Sequence, residues 1–141
     1  MNIKKNATGS PELLDLLNKT LELEYTLIIH YPRIASSIQD KENKQLAQSL
    51  GTASIGHADM VAHTITRLGG KPHWSFGSFP AEMNLKKIFQ GQLEKEKLAL
   101  NLHQQIVGLA TDVSMRDNFV ELTKEEELHI KTVQKILERL N

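Results

Sequence analysis

Residues 123–133 read TKEEELHIKTV. Glu126 and His129 stand three positions apart in this run. That is just under one turn of an α-helix, so a helix here sends one carboxylate and one imidazole out of the same face. Turned toward the interior of a helical bundle, the pair is half of a two-metal site. The other half belongs on an earlier helix, and one carries Ser54-x-x-His57, with a serine at the carboxylate position.

Outward from that run the apolar pattern is helical almost throughout, which makes the chain all-α with four long helices. The first begins near Ser10-Pro11, where serine suits the N-cap and proline the first helical position. Leu13, Leu14, Leu17, Leu21, Leu27, Ile28 and Tyr31 follow with a 3.6-residue period. Pro32 is expected to kink this helix or end its first segment, and Ile34 and Ile38 to continue the stripe. The second helix spans about residues 41–68, with Asp40 as cap and Gly69-Gly70 then Pro72 as its stop. Gly51 and Gly56 weaken its middle by roughly 1 kcal/mol each relative to alanine, and close packing or a local bulge would account for them. A third helix is expected over about residues 84–111 and a fourth from there to the C-terminus, with Ser114 as N-cap and Asp117 three positions on.

Residues 70–83, GKPHWSFGSFPAEM, separate the second and third helices. Links inside a bundle usually run to roughly 2–8 residues, so this one is long enough to cross over. Short, long, short connections predict an up-down-down-up four-helix bundle with one long crossover between helices 2 and 3, the ferritin-like variant. Trp74, Phe76 and Phe79 lie in the crossover, where they would either cover the bundle flank or form a dimer interface.

At 141 residues the chain is most simply a single domain, residues 1–141, with residues 1–9 as a flexible N-terminus. Lys plus Arg and Asp plus Glu are 17 each, so no net field draws it to nucleic acid or membrane. Lys4 and Lys5 are too few for a DNA-binding arm, and a DNA-protecting cage is disfavoured with them. The first ten residues have no apolar run after the lysines, and no stretch approaches the roughly 20 apolar residues of a membrane span. A cytoplasmic location is expected. There is no cysteine, which removes disulfides and thiolate metal sites.

A two-metal bundle site takes one Glu from each of two helices and one Glu-x-x-His from each of the others. Carboxylates offset the metal charge, and imidazoles suit iron. Helix 1 offers Glu24 or Glu22, and helix 3 offers Glu96 or Glu94. Two positions are about 200° around a helix, so only one of each pair faces inward. Glu24 shares a face with Leu17, Leu21, Ile28 and Tyr31, and Glu96 with Leu93, Leu100 and His103, which selects Glu24 and Glu96. The expected metal ligands are therefore Glu24, His57, Glu96, Glu126 and His129. Tyr31, Ser54 and His103 are expected to support them from behind; His103 lies two turns, about 10.5 Å, from Glu96. His30, His63 and His73 have no partner pattern and are expected at the surface.

Taken together, these segments resemble the bacterioferritin and rubrerythrin branch of the ferritin-like superfamily, from about Leu13 to Leu140. LNKTLELEYTLIIHY resembles the segment in which a ligand Glu, here Glu24, precedes a Tyr, here Tyr31, by seven residues. SIGHADMVAHTITRLGGKP resembles the E-x-x-H-A-D segment and its Leu-Gly-Gly-x-Pro stop. LEKEKLALNLH carries Glu96, with His103 where Tyr is frequent, and TKEEELHIKTV closes the set. The resemblance implies iron, one or two ions with Mn or Zn as alternatives, and reaction with O2 or peroxide. It also implies three departures. Ser54 stands where a metal-bridging Glu belongs. Ile55 occupies the place of the haem-ligating Met, so no haem is expected. The chain lacks the short fifth helix of large cages, which favours a homodimer or other small homo-oligomer.

Iron handling, by Fe(II) oxidation or peroxide detoxification at a modified di-metal site, is the leading expectation. Whether the protein is an enzyme is left open, because the alternative is a non-catalytic dimeric scaffold whose metal site has decayed. Three carboxylates against two divalent ions leave an unmatched positive charge, costly in a buried site, so weaker binding is expected on the Glu24/His57 side.

Overall fold

The computed structural model describes residues 9–140. The expectation for a flexible N-terminus falls mainly on residues 1–8, outside the described residues. Four helices follow one another: α1 (Pro11–Ala35), α2 (Lys41–Arg67), α3 (Leu85–Leu109) and α4 (Val113–Arg139). Each begins on a side-chain cap that accepts a backbone N–H from the first turn: Ser10 from Leu13, Asp40 from Asn43, Asn84 from Lys87 and Asp112 from Met115. A cap of this kind contributes about 0.5–2 kcal/mol.

Asp112, not Ser114, caps α4. Both residue types cap well, and the choice is tertiary: the Asp112 carboxylate also pairs with Arg67 of α2 at 2.9 Å. α1 runs through Pro32 without interruption and ends three residues later at Ala35. α2 is likewise continuous across Gly51 and Gly56. Gly51 is there for close packing, since a Cβ would sit 3.1 Å from the Tyr31 Cβ and 3.4 Å from the Pro32 ring. Gly56 faces open space and has no such reason. α2 stops where Gly69 turns to φ 85°, a left-handed conformation that favours glycine.

The direction of each helix follows from its contacts. α1 and α2 are antiparallel, Tyr31 lying against Gly51 and Leu14 against Gly70. The crossover, residues 68–84, then runs alongside α1 in α1's own direction. Asn18 accepts from the His73 amide and donates to Lys71 O, Thr26 accepts from the Gly77 amide, and Phe79 packs on His30 and Arg33. It returns the chain to the end where α2 began, so α3 runs parallel to α2 and antiparallel to α1. The result is the up-down-down-up order.

His30 corrects the expectation of a surface histidine. It is buried, and its Nε2–H donates to Gly77 O at 2.9 Å. The docked crossover covers it, and burial pulls its pKa below the usual histidine value. His63 and His73 are exposed. Trp74 and Phe76 stand edge-on to Tyr25 of α1, with half of each ring surface still open. Among the described residues no helix is long and apolar enough to cross a membrane.

The core has two apolar halves. One gathers Leu17, Leu21, Val61, Ile65, Ile106 and Phe119, and the other Leu27, Tyr31, Leu50, Phe89, Val133 and Ile136. Each large apolar side chain buried in them contributes roughly 1.5–3 kcal/mol. Between the halves lies a polar layer.

Candidate metal centre

Every helix changes from apolar to polar side chains at the same level. In α1 the buried series is Leu21, Glu24, Leu27; in α2 it is Leu50, Ser54, His57, Val61; in α3, Phe89, Glu96, His103, Ile106; in α4, Leu122, Glu126, His129, Val133. Glu24, Glu96, His103 and Glu126 are fully buried, and His57 and His129 nearly so. Glu22 and Glu94, two positions from the buried acids, face water. The apolar stripe of each helix drags its in-phase polar residue inward at a cost that only a partner can offset.

The partners are one another. The His57 Nδ1 lies 3.6 Å from Glu24 Oε2 and 3.8 Å from Glu126 Oε1. The His129 Nδ1 lies 3.6 Å from Glu96 Oε1 and 3.7 Å from Glu126 Oε2. The His103 Nε2 is 3.2 Å from Glu24 Oε2. The His57 and His129 rings stack 5.0 Å apart with 12° between their planes. Behind the layer, the Tyr31 hydroxyl donates to Glu96 Oε2 at 2.5 Å, and the His57 Nε2–H donates to Glu125 Oε1 at 2.9 Å. A neutral imidazole that donates through Nε2 presents its Nδ1 lone pair inward. Ser54 is buried too, but its hydroxyl donates to Leu50 O of its own helix.

These approaches leave most of the donors unsatisfied. Both oxygens of Glu24 and of Glu126, Glu96 Oε1, the Nδ1 atoms of His57 and His129, and both ring nitrogens of His103 have no hydrogen-bond partner. Buried polar atoms are normally paired, and each orphan costs about 1–3 kcal/mol. Two groups of donor atoms, each within 4.8 Å of one another, could hold an ion: His57, Glu126 and His129, and Glu24, His103 and Glu126. Glu126 belongs to both. The buried carboxylate and imidazole set fits divalent iron, manganese or zinc.

Without an ion the layer settles its charge with protons. Burial raises the Glu24 carboxyl, but the adjacent His103 and His57 imidazoles prevail and hold it at about 2. Burial lowers His57, and Glu24 and Glu125 overcome this and push it up to about 9. Burial is the largest cause raising the Glu126 carboxyl, and the neighbouring Glu96 raises it further. A proton shared between Glu126 and Glu96 removes the repulsion that two adjacent buried carboxylates would have.

A family model for the ferritin-like domain matches residues 14–141. The chain belongs to the ferritin-like domain family. Solved structures agree on the fold of this ferritin-like chain. A dodecameric thioferritin, the bacterioferritin-related protein of Bacteroides fragilis, superposes with a TM-score of 0.84 at 19% identity, over 99% of this chain and 92% of that one. Ferritin-like diiron-carboxylate proteins of Bacillus anthracis give 0.82 at 20% identity, over 89% and 95%. A Rhodobacter capsulatus bacterioferritin with a metal-free dinuclear site and haem iron gives 0.80 at 20% identity, over 93% and 86%. No curated protein matches the chain.

The polar layer of the ferritin-like chain is internally repeated. Glu24 and Glu96, Tyr31 and His103, Ser54 and Glu126, and His57 and His129 are each 72 positions apart. Tyr31 of α1 reaches Glu96 of α3, and His103 of α3 reaches Glu24 of α1. These are equivalent contacts of one antiparallel pair. Only two of the four equivalences differ in residue type: Ser54 against Glu126, and Tyr31 against His103. Glu125 had no assigned role in the sequence; its only signal was an acid beside the Glu126-x-x-His129 pair. Ile55 stands half-exposed on the outside of α2.

Proposed function

We propose that this ferritin-like chain, as one bundle domain, binds divalent metal in its central layer and handles iron. Glu24, His57, Glu96, Glu126 and His129 would hold the ions, with Tyr31 fixing the Glu96 carboxylate and Glu125 fixing the His57 tautomer. The supporting observation is the convergence of unsatisfied, buried carboxylate and imidazole atoms from all four helices on one layer. Bound iron(II) would supply electrons to dioxygen or peroxide. The chain's own residues orient and desolvate that exchange. His57 and Glu126 release protons as an ion enters, so affinity rises with pH. His129 and His57 alone among the donors reach the surface, which puts the entry between α2 and α4 beside exposed Glu125. A homo-oligomer accords with the half-open rings of Trp74 and Phe76 and with the dodecamer of the Bacteroides fragilis relative.

Metal content after aerobic purification from Fe(II)-supplemented medium, with the rate of Fe(II) oxidation, tests the reading. Protein that purifies metal-free, with a melting temperature indifferent to Fe(II), Mn(II) and Zn(II), would support the other reading, a scaffold with a decayed site. Ser54 favours that second reading, because it offers the layer no donor.

A further inference from the structure

We propose that His103 is a metal ligand on the Glu24 side of the layer, supplying the donor that Ser54 lacks. This deepens the metal-binding reading and rests on it.

The geometry comes from the internal repeat. In the half that keeps its full Glu-x-x-His pair, Glu126 and His129 sit beside Glu96, and the ring reaching Glu96 from across the bundle is Tyr31. A phenol there donates a hydrogen bond and leaves the carboxylate to the metal. In the other half, Ser54 has replaced the acid, and the ring reaching across is His103. The two changes fall on the same side of the layer. His103 thus brings a ring nitrogen to Glu24 in the half of the repeat that lacks the second carboxylate.

His103 pairs with Glu24 but does not make the aligned hydrogen bond that Tyr31 makes to Glu96. Its Nε2 is 3.2 Å from Glu24 Oε2 yet misaligned for a hydrogen bond, and both ring nitrogens lack partners in a fully buried side chain. A purely structural histidine would satisfy at least one nitrogen. Phe119 and His57 pack edge-on against the ring, each 6.1 Å from its centre, which fixes its plane. Glu24, His103 and Glu126 present one atom each within 4.8 Å. With His57, His129 and Glu96, the layer offers six donor residues, three carboxylates and three imidazoles. The expectation of a crippled Glu24 side, drawn from Ser54 alone, changes accordingly.

Zn(II) titration against a chromophoric chelator tests this with no activity readout. Wild type should take up two ions per chain. H103F keeps an aromatic ring in the slot but has no donor, and should retain one tight ion while the other weakens at least 10–100-fold, the loss typical of even an indirect ligand contact. Adding S54E to H103F should restore the second ion. Co(II) spectra of wild type and H103F should differ in the ligand-field bands. Two ions bound by H103F with wild-type affinity and an unchanged Co(II) spectrum would overturn the role of His103 alone. No ion bound by wild type would overturn the metal centre itself. Should H103F fail to fold, H103L, which also lacks a donor, carries the same expectation for the second ion and the same overturning result.

Discussion

Glu126→Gln should make the metal-free protein more stable at neutral pH while abolishing tight metal binding. Glu126 is fully buried against Glu96, with neither of its oxygens partnered, and its carboxyl is held well above the ordinary value of 4.5. The folded protein therefore keeps a proton that the unfolded chain has released. Stability falls wherever the native state binds more protons than the unfolded one, by about 1.4 kcal/mol per pH unit for one group. The cost begins near pH 4.5 and, for a carboxyl still protonated at pH 7.5, reaches about 4 kcal/mol. Glutamine has the shape of the protonated acid, can donate to Glu96 in its place, and does not titrate. Urea denaturation of metal-stripped wild type and E126Q, measured from pH 4.5 to 7.5, should show two curves that coincide at the acid end and separate as pH rises. E126Q should be ahead by roughly 3–4 kcal/mol at pH 7.5. A gap that does not change with pH, or E126Q less stable at pH 7.5, would refute the shared proton and with it the view that the layer is a set of carboxylates awaiting cations.

Tyr31→Phe removes the donor to Glu96 Oε2 and leaves a buried carboxylate oxygen bare, so the metal-free protein should lose about 1–3 kcal/mol in urea denaturation. Gly51→Ala forces a Cβ to 3.1 Å from Tyr31 and should destabilise by about 1–3 kcal/mol, whereas Gly56→Ala, which meets nothing within 4 Å, should stabilise by up to about 1 kcal/mol. The pair of melting temperatures should move in opposite directions.

The helices and the level of the site were readable because both depend on local chemistry. Ser10, Asp40, Gly69 and the crossover GKPHWSFGSFPAEM mark ends by their own conformational preferences, and an acid in phase with leucines marks the inward face. Glu24 could be separated from Glu22 on that ground alone. What the sequence did not disclose depends on how helices meet. His30 has no patterned partner because its partner is a backbone carbonyl, Gly77 O, brought over by the crossover. Ser114 and Asp112 are both good caps, and Arg67, 45 positions away from Asp112, decides between them. His103 sits two turns from Glu96 on its own helix, which suggested a remote role. Its neighbour is Glu24 on α1, and only the antiparallel register of α1 and α3 puts the two together.

That register also explains why one exchange in this layer calls for another. Each half of the repeat would serve an ion with groups from both halves, since Tyr31 and His103 cross to the opposite helix's Glu. Loss of a carboxylate at position 54 therefore cannot be made good from α2, whose next acid, Asp59, is exposed. It can be made good from α3, where the ring at position 103 already touches Glu24. An imidazole restores a donor without restoring charge. Three carboxylates against two divalent ions would still leave one positive charge, which in a buried layer calls for a small anion such as hydroxide, since an uncompensated charge costs several kcal/mol. A layer with this donor set would therefore hold two divalent ions only together with such an anion, and position 54, where the serine side chain is turned back to its own helix, is where room for one lies.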